Sequence, residues 1–313
     1  MKKNVAALVL ALCMTVPVLS GCGGAGSGGP QTTDEGKLTV AEGKLTVATS
    51  PDFAPMEFVD ASKSGQDQYV GFDITLAKYI ADEMGLELVI QPMSFDACQV
   101  AVSMGQVDMS VSGFSWTADR AENYNMSDTY HAGDNEDGQT LICMASAGDK
   151  YKDAPNVEGL KAGYQGASLQ EIMVKEQLPN AEGVPFGDIT TGIMQLRNGD
   201  FDVMAVADGN ASALIAENPD VALTGFDFEV DEKYTDNLVL MQKGNDALTA
   251  KVNEILAKAK AANLYEGWYD DAKALAGIDT AADVSYDQYG NPVEYDADGN
   301  PIEKDADGNP IEK

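Results

Sequence analysis

The sequence predicts an α/β protein in which helices cover mixed or parallel sheets. Three observations predict it. From Lys44 to about Ala276 short apolar runs alternate with amphipathic segments, the order that strands and helices take in a layered fold. The amphipathic segments carry helix-start and helix-stop residues at their ends. The chain has 313 residues, 44% of them hydrophobic, enough to bury a sizeable core in one large or two modest domains and to exclude global disorder.

The elements follow in order. Lys44–Ala48 is a strand. Asp73 is placed to N-cap a helix with Ile74, Ala77, Ile80, Ala81 and Met84 on one face and Gly85 at its end. Leu86–Gln91 is the next strand. A helix with Ala97, Val100, Ala101 and Met104 on its apolar face stops at Gly105, and Val107–Val111 is a strand. The second half repeats the alternation, with a strand near Lys161–Tyr164, a helix from Ser168, a helix over Asp188–Arg197 and a strand over Phe201–Ala207. A strand near Asn237–Gln242 and a long helix carrying Leu248, Val252, Ile255, Leu256 and Ala259 complete the series.

Composition narrows the partners. Lys and Arg number 20 against 51 Asp and Glu, a net charge of -31 and a pI near 4.1, which excludes nucleic acid, since its recognition requires positive charge. The one long apolar run is the first 22 residues, so the mature chain is expected to carry no spanning helix. Residues 1–21 read as a secretory signal, with Lys2 and Lys3 before an apolar stretch from Val5 to Val18. Leu19-Ser20-Gly21-Cys22 resembles a bacterial lipobox, whose thiol is diacylated. That resemblance implies a membrane anchor through the lipid only, the alternative being an ordinary secreted protein with an odd Cys.

Residues 22–36 form a Gly-rich tether that cannot bury apolar area. Glu35–Ala41 then repeats identically as Glu42–Ala48, and only one copy can be the first strand. The second copy leads into the rest of the fold, so the first is a spare. Residues 277–313 form an acidic tail with Gly290-Asn291-Pro292 repeated every nine residues, which carries turn chemistry without a core. Asp296-x-Asp298 and Asp305-x-Asp307 suggest Ca²⁺, but the Gly falls too early for an EF-hand loop and no bidentate Glu is in register. A solvated tail without metal is the reading adopted.

Several segments together resemble the extracellular solute-binding proteins of family 3, which deliver amino acids to ABC importers. Lys44–Phe58 is similar to that family's first strand and loop; Gly71-Phe72-Asp73 matches its Gly-Phe-Asp signature; Ser94-Phe95-Asp96 resembles its aromatic turn. Gly105–Asp108, Ser112–Arg120 and Met126–Tyr130 follow in the family's order, so the likeness runs over about 230 residues. It implies a two-lobed periplasmic-binding-protein-like fold with two interlobe crossings. Lobe 1 would comprise 37–131 and 236–276, and lobe 2 would comprise 132–235.

A free amino acid brings a carboxylate and an ammonium, and burying either unpaired costs several kcal/mol. Arg120 is the candidate for the carboxylate, because guanidinium offers a planar fork and a cation in a helix's first turn opposes the dipole without a functional reason. Thr117 reads as that helix's N-cap. The resemblance implies that Ser115 and the turn Gly166-Ala167-Ser168 add donors for the carboxylate, with free N–H groups where strand gives way to helix. It implies further that the Gly113 carbonyl and Asp208 meet the ammonium. Asp208 stands six residues after Asp202, one more than the family pattern, which requires a bulge or another ammonium partner. Phe53 and Phe95 would sandwich the ligand side chain, the alternative being core packing. Ser50 stands where binders of basic amino acids carry an acid, which favours a neutral or polar ligand.

Cys98 and Cys143 are expected as buried free thiols. His131 is the single His, so His-dependent catalysis would rest on it alone, and neither HExxH, GxSxG nor a P-loop occurs. The leading expectation is therefore a lipid-anchored monomer at the extracellular face of the cytoplasmic membrane, or in the periplasm, that binds a free amino acid and docks on an ABC permease. It needs no cofactor or metal and performs no chemistry. The alternatives are a dehydratase-like enzyme, disfavoured because no cleft acid or His beyond the binding set is evident, and a surface sensor or adhesin suggested by the tail.

Overall fold

Identical heptapeptides at the start of the folded region meet different fates. In the second copy, Leu45 and Val47 are fully buried in β1 (Lys44–Thr49), which is hydrogen-bonded on both sides. In the first copy, Leu38 and Val40 are 44% and 45% exposed and the backbone bends. The sheet has one slot for this strand. Asp108 ties both copies to it, its Oδ2 accepting the Thr46 N–H (2.6 Å) and its Oδ1 the Val40 N–H (2.5 Å).

The computed structural model describes residues 38–131 and 138–278. The signal segment, Cys22, the tether and the Gly-Asn-Pro repeats read from the sequence lie outside the described residues, as does most of the acidic stretch His131–Gln139. After β1 come β2 (Asp52–Phe53), β3 (Glu57–Val59), β4 (Tyr69–Val70), α1 (Phe72–Met84), β5 (Glu87–Pro92), α2 (Phe95–Ser103), β6 (Met109–Ser115), α3 (Ala118–Asn123) and β7 (Tyr124–Met126). The next group is β8 (Gln139–Met144), β9 (Lys161–Gln165), α4 (Leu169–Gln177), β10 (Glu182–Phe186), α5 (Ile189–Asn198), β11 (Val203–Ala207), α6 (Asp208–Glu217) and β12 (Val221–Asp227). The last described elements are β13 (Asn237–Gln242), α7 (Asp246–Ala261) and α8 (Leu264–Leu275).

Two five-stranded sheets, ordered β5-β1-β6-β13-β7 and β10-β9-β11-β8-β12, form the two lobes, and β2-β3-β4 make a small third sheet. In each large sheet three strands run parallel and a fourth joins them antiparallel. Because β13 returns to the first sheet after β8 to β12 have built the second, the chain crosses between lobes twice. Both faces of each sheet are covered. In β13, Val239 and Met241 point into the cluster around α1 and α7, while Leu238 and Leu240 point to the α2 side. In β11, Val203 and Ala205 face one cluster and Met204 and Val206 the other. This period of two on a doubly covered sheet explains why the strands read as unbroken apolar runs.

Two expectations are corrected here. Asp73 does not cap α1; Gly71 does, with φ of 117°. Asp73 instead is fully buried, accepting the Gly113 N–H (2.7 Å) and the Tyr130 hydroxyl (2.9 Å), so it ties α1 to β6. The apolar face of α2 is rotated from the predicted one: Phe95, Cys98, Ala101 and Val102 are buried, whereas Val100 and Met104 are 54% and 64% exposed. The Phe95 ring stacks on Phe114 at 4.7 Å, and this anchor sets the helix's rotation. The sheet β2-β3-β4 escaped the sequence because its strands have two or three residues, too few to show a period.

Gly71 also carries a stability prediction. A side chain there would overlap the Met56 carbonyl oxygen and meet the Pro55 oxygen at 2.8 Å, at a φ that L-residues avoid. Gly71→Ala is expected to cost about 3 kcal/mol or more, read as a lowered urea midpoint; an unchanged midpoint would contradict this close approach.

Candidate functional site

Ligand sites in α/β sheets form at the carboxyl ends of strands where the strand order reverses. Both lobes supply such an end, and the two converge on one cavity of about 540 Å³ counted out to its mouth. Ser50, Asp52 and Phe53 follow β1, and Ser112, Gly113 and Ser115 close β6. From the second lobe Gln165 ends β9, Ala207 ends β11, and Ser168, Leu169 and Ile189 lie at the starts of α4 and α5.

Arg120 lines this cavity and is 2% exposed. Thr117 caps α3, its Oγ1 accepting the Arg120 N–H (3.1 Å), which holds the residue in place. The guanidinium donates to the Ser115 carbonyl (2.7 Å), to Gln99 Oε1 (3.3 Å) and, across the cleft, to the Ala167 carbonyl (2.8 Å). Its carbon lies 5.4 Å and 5.0 Å from the Phe95 and Phe114 ring centroids. None of the ion pairs among the described residues includes Arg120. Burial lowers its pKa to about 10, with Tyr124 and Asp119 pulling weakly the other way, so it remains a cation at neutral pH. A buried cation lacking an anion is costly, and the arrangement calls for one.

Two carboxyls share the cavity wall. Asp52 Oδ2 accepts the Ile189 N–H at the start of α5 (2.6 Å), reaching across the cleft, and Oδ1 accepts the Ser50 hydroxyl (2.9 Å). Desolvation lifts its pKa to about 6, against the pull of these hydrogen bonds. Glu57 is fully buried and hydrogen-bonded to the Ser112 hydroxyl. Burial, with Asp73 alongside, holds its carboxyl well above the usual range.

The model of one protein family, the bacterial extracellular solute-binding proteins of family 3, matches residues 45–271. The chain belongs to this family. It is 32% identical to the amino acid ABC transporter substrate-binding protein AbpA of Streptococcus pneumoniae, solved bound to L-arginine, with a TM-score of 0.67 over 76% of this chain and 98% of that one. It is 29% identical to the arginine-binding extracellular protein ArtP of Bacillus subtilis, over 80% of this chain and 89% of the relative. It is 27% identical to the glutamine-binding protein GlnH of the same organism, over 85% and 96%. These relatives are binding proteins. The two-lobed fold with two crossings is the family's, and no helix among the described residues is long and apolar enough to cross a membrane.

In this solute-binding protein the cavity brings together Arg120, Ser115, Gly113, Ser168, Phe53, Phe95 and Ser50, all named from the sequence. Gly113, with φ of 55°, leaves room for the Phe53 ring, which a side chain there would meet at 3.1 Å. Asp208 is not among the cavity-lining residues; it opens α6, with its N–H donating to the Gly138 carbonyl. The turn at 166–168 departs from expectation as well, because its N–H groups are engaged. Gly166 donates to Phe186 O, Ala167 to Glu171 Oε2 (2.7 Å) and Ser168 to Gln165 O. Ser168 is the N-cap of α4, its Oγ accepting the Glu171 N–H (3.2 Å). His131 sits beside Phe72 and Tyr269, apart from the cavity lining, and Cys98 and Cys143 are buried free thiols.

Sequence reasoning missed Asp52, Glu57 and Gln99. The expectation of no cleft acid beyond the binding set is thereby corrected. A signal existed: Asp52 and Glu57 flank the short segment Phe53-Ala54-Pro55-Met56 directly after β1, the strand at the switch point.

Proposed function

We propose that the cavity holds a free amino acid with a polar or cationic side chain, its carboxylate on the Arg120 fork and its positive charge facing Asp52 and Glu57. The observation that carries this reading is the buried guanidinium of Arg120, which has aromatic and carbonyl neighbours and no ion pair among the described residues. Ser50, which argued for a neutral ligand, donates to Asp52 two residues on, and Asp52 restores an acid to that wall. Relatives named for arginine and for glutamine fit the same charge pattern. Ligand groups bridging Arg120 in one lobe and α4 in the other would favour the closed form. The closed receptor would then pass its cargo to an ABC permease, acting as a monomer held outside the cell by lipid on Cys22.

Calorimetry on protein stripped of co-purified ligand, with a panel of the common amino acids, tests the reading. Micromolar binding, about 8 kcal/mol, is expected for at least one polar or cationic member. Absence of any binder tighter than about 1 mM (about 4 kcal/mol) rejects it.

A further inference from the structure

Glu57 has the cavity on one side and Asp73 of α1 on the other, and both residues are fully buried. The groups facing Glu57 are the Ser112 hydroxyl from β6, the Asp73 carboxyl, the Asp52 carboxyl from β2 and the Cys98 thiol from α2. Asp73 in turn accepts from Gly113 N–H and Tyr130 hydroxyl. No Lys, Arg or His forms an ion pair with Glu57, Asp73 or Asp52 among the described residues, and Arg120 directs three of its five N–H donors at Ser115, Gln99 and Ala167, away from these acids. Glu57 Oε2 is buried and receives no hydrogen bond from an N–H or hydroxyl donor. Two adjoining carboxyls without a cation cannot both ionise. An oxygen that accepts nothing is where a shared proton belongs, and the fold brings the two carboxyls together: Glu57 and Asp73 accept from successive residues of β6, Ser112 and Gly113, while the Asp73 N–H donates to the carbonyl of Met56 beside Glu57.

We propose that Glu57 and Asp73 hold one proton between them, release it to water when a ligand with a positively charged side chain enters, and keep it when the ligand is neutral. The inference rests on the amino-acid reading of the same cavity. On release, the Glu57 O–H bond breaks, the proton passes to solvent, and the carboxylate left behind pairs with the incoming cation while Ser112, Gly113 and Tyr130 continue to donate to the pair. With a neutral amide side chain the protonated carboxyl stays and exchanges hydrogen bonds with it. The preference between cationic and neutral amino acids therefore depends on pH, the cationic ligand gaining as pH rises.

The test is calorimetry at pH 8, above the value near 6 at which Asp52 titrates, in two buffers of different ionisation enthalpy, with arginine and glutamine as probes. Arginine binding is expected to release about one proton and to tighten about tenfold per pH unit below the point where the pair ionises unaided. Glutamine binding is expected to release none. Glu57→Gln, checked for folding by circular dichroism, removes the arginine-linked release. Arginine binding with no buffer dependence, equal release with both ligands, or binding of glutamine but not arginine up to pH 9 overturns the proton pair while leaving the receptor intact. Failure of every amino acid to bind instead rejects the receptor reading together with the pair.

Discussion

Arg120→Ala is expected to weaken ligand binding by about 2–5 kcal/mol, thirty-fold to several-thousand-fold in Kd, because it strands the ligand carboxylate in a dry cavity. The guanidinium is buried and held by the Ser115 carbonyl, Thr117 fixes its backbone, and no ion pair among the described residues includes it. Removing it deletes the charge partner and the fork together. Arg120→Lys separates these contributions: it keeps the charge, yet a single ammonium cannot reach Ser115, Ala167 and a carboxylate as the fork does. We expect the Lys variant to recover less than half of the lost free energy. Calorimetry with the best-bound amino acid decides it, and wild-type affinity in the Ala variant would mean that the carboxylate sits elsewhere.

Closure of the empty protein is expected to weaken as pH rises through about 6. Asp52 joins the lobes through the Ile189 N–H, and burial lifts its pKa from 3.8 to about 6. In an open form Asp52 regains water and its ordinary value. The closed form thus binds the proton more tightly, so its advantage is full below pH 3.8, declines as pH climbs, and is gone above about 6. Two pKa units amount to about 3 kcal/mol, on the order of a hundredfold in the closing equilibrium. Glu57 and Asp73 are raised in the same direction, so Asp52→Asn serves to isolate the one group. Small-angle scattering of the empty protein should show a larger radius of gyration at pH 7.5 than at pH 4.5, with a flatter profile in the Asn variant. A radius independent of pH in both proteins would exclude Asp52 as a titrating latch. The ligand's positive charge then has a second role, since it offsets the cost of keeping Asp52 ionised within the closed cavity.

What could be read from the chain and what could not divides by distance along it. Ser168 and Asp188 signal helix starts because an N-cap's partner lies three residues away. Thr117 and Arg120 are legible for the same reason. Asp52 was not, because its partner Ile189 lies 137 residues on. Asp73 looked like a cap since an acid before an apolar run is a local signal, but Gly113 and Tyr130 claim its oxygens from 40 and 57 residues away. The N–H groups at 166–168 looked open to an anion until Glu171 and Phe186 occupied two of them.

The sequence by itself determined the α/β class, the covered parallel strands, the positions of most caps, and Arg120 with its serines at a strand-to-helix turn. These follow from short-range periodicity and capping, which each segment carries with it. Only the tertiary structure decided which face of α2 is buried and that Asp52 and Glu57 rather than Asp208 line the cavity, whereas the heptapeptide that enters the sheet was read from the segment that follows it. Leu45 and Leu38 have the same neighbours in sequence, and one is fully buried while the other is 44% exposed. Burial depends on the place available between β5 and β6, which the heptapeptide's own residues do not encode.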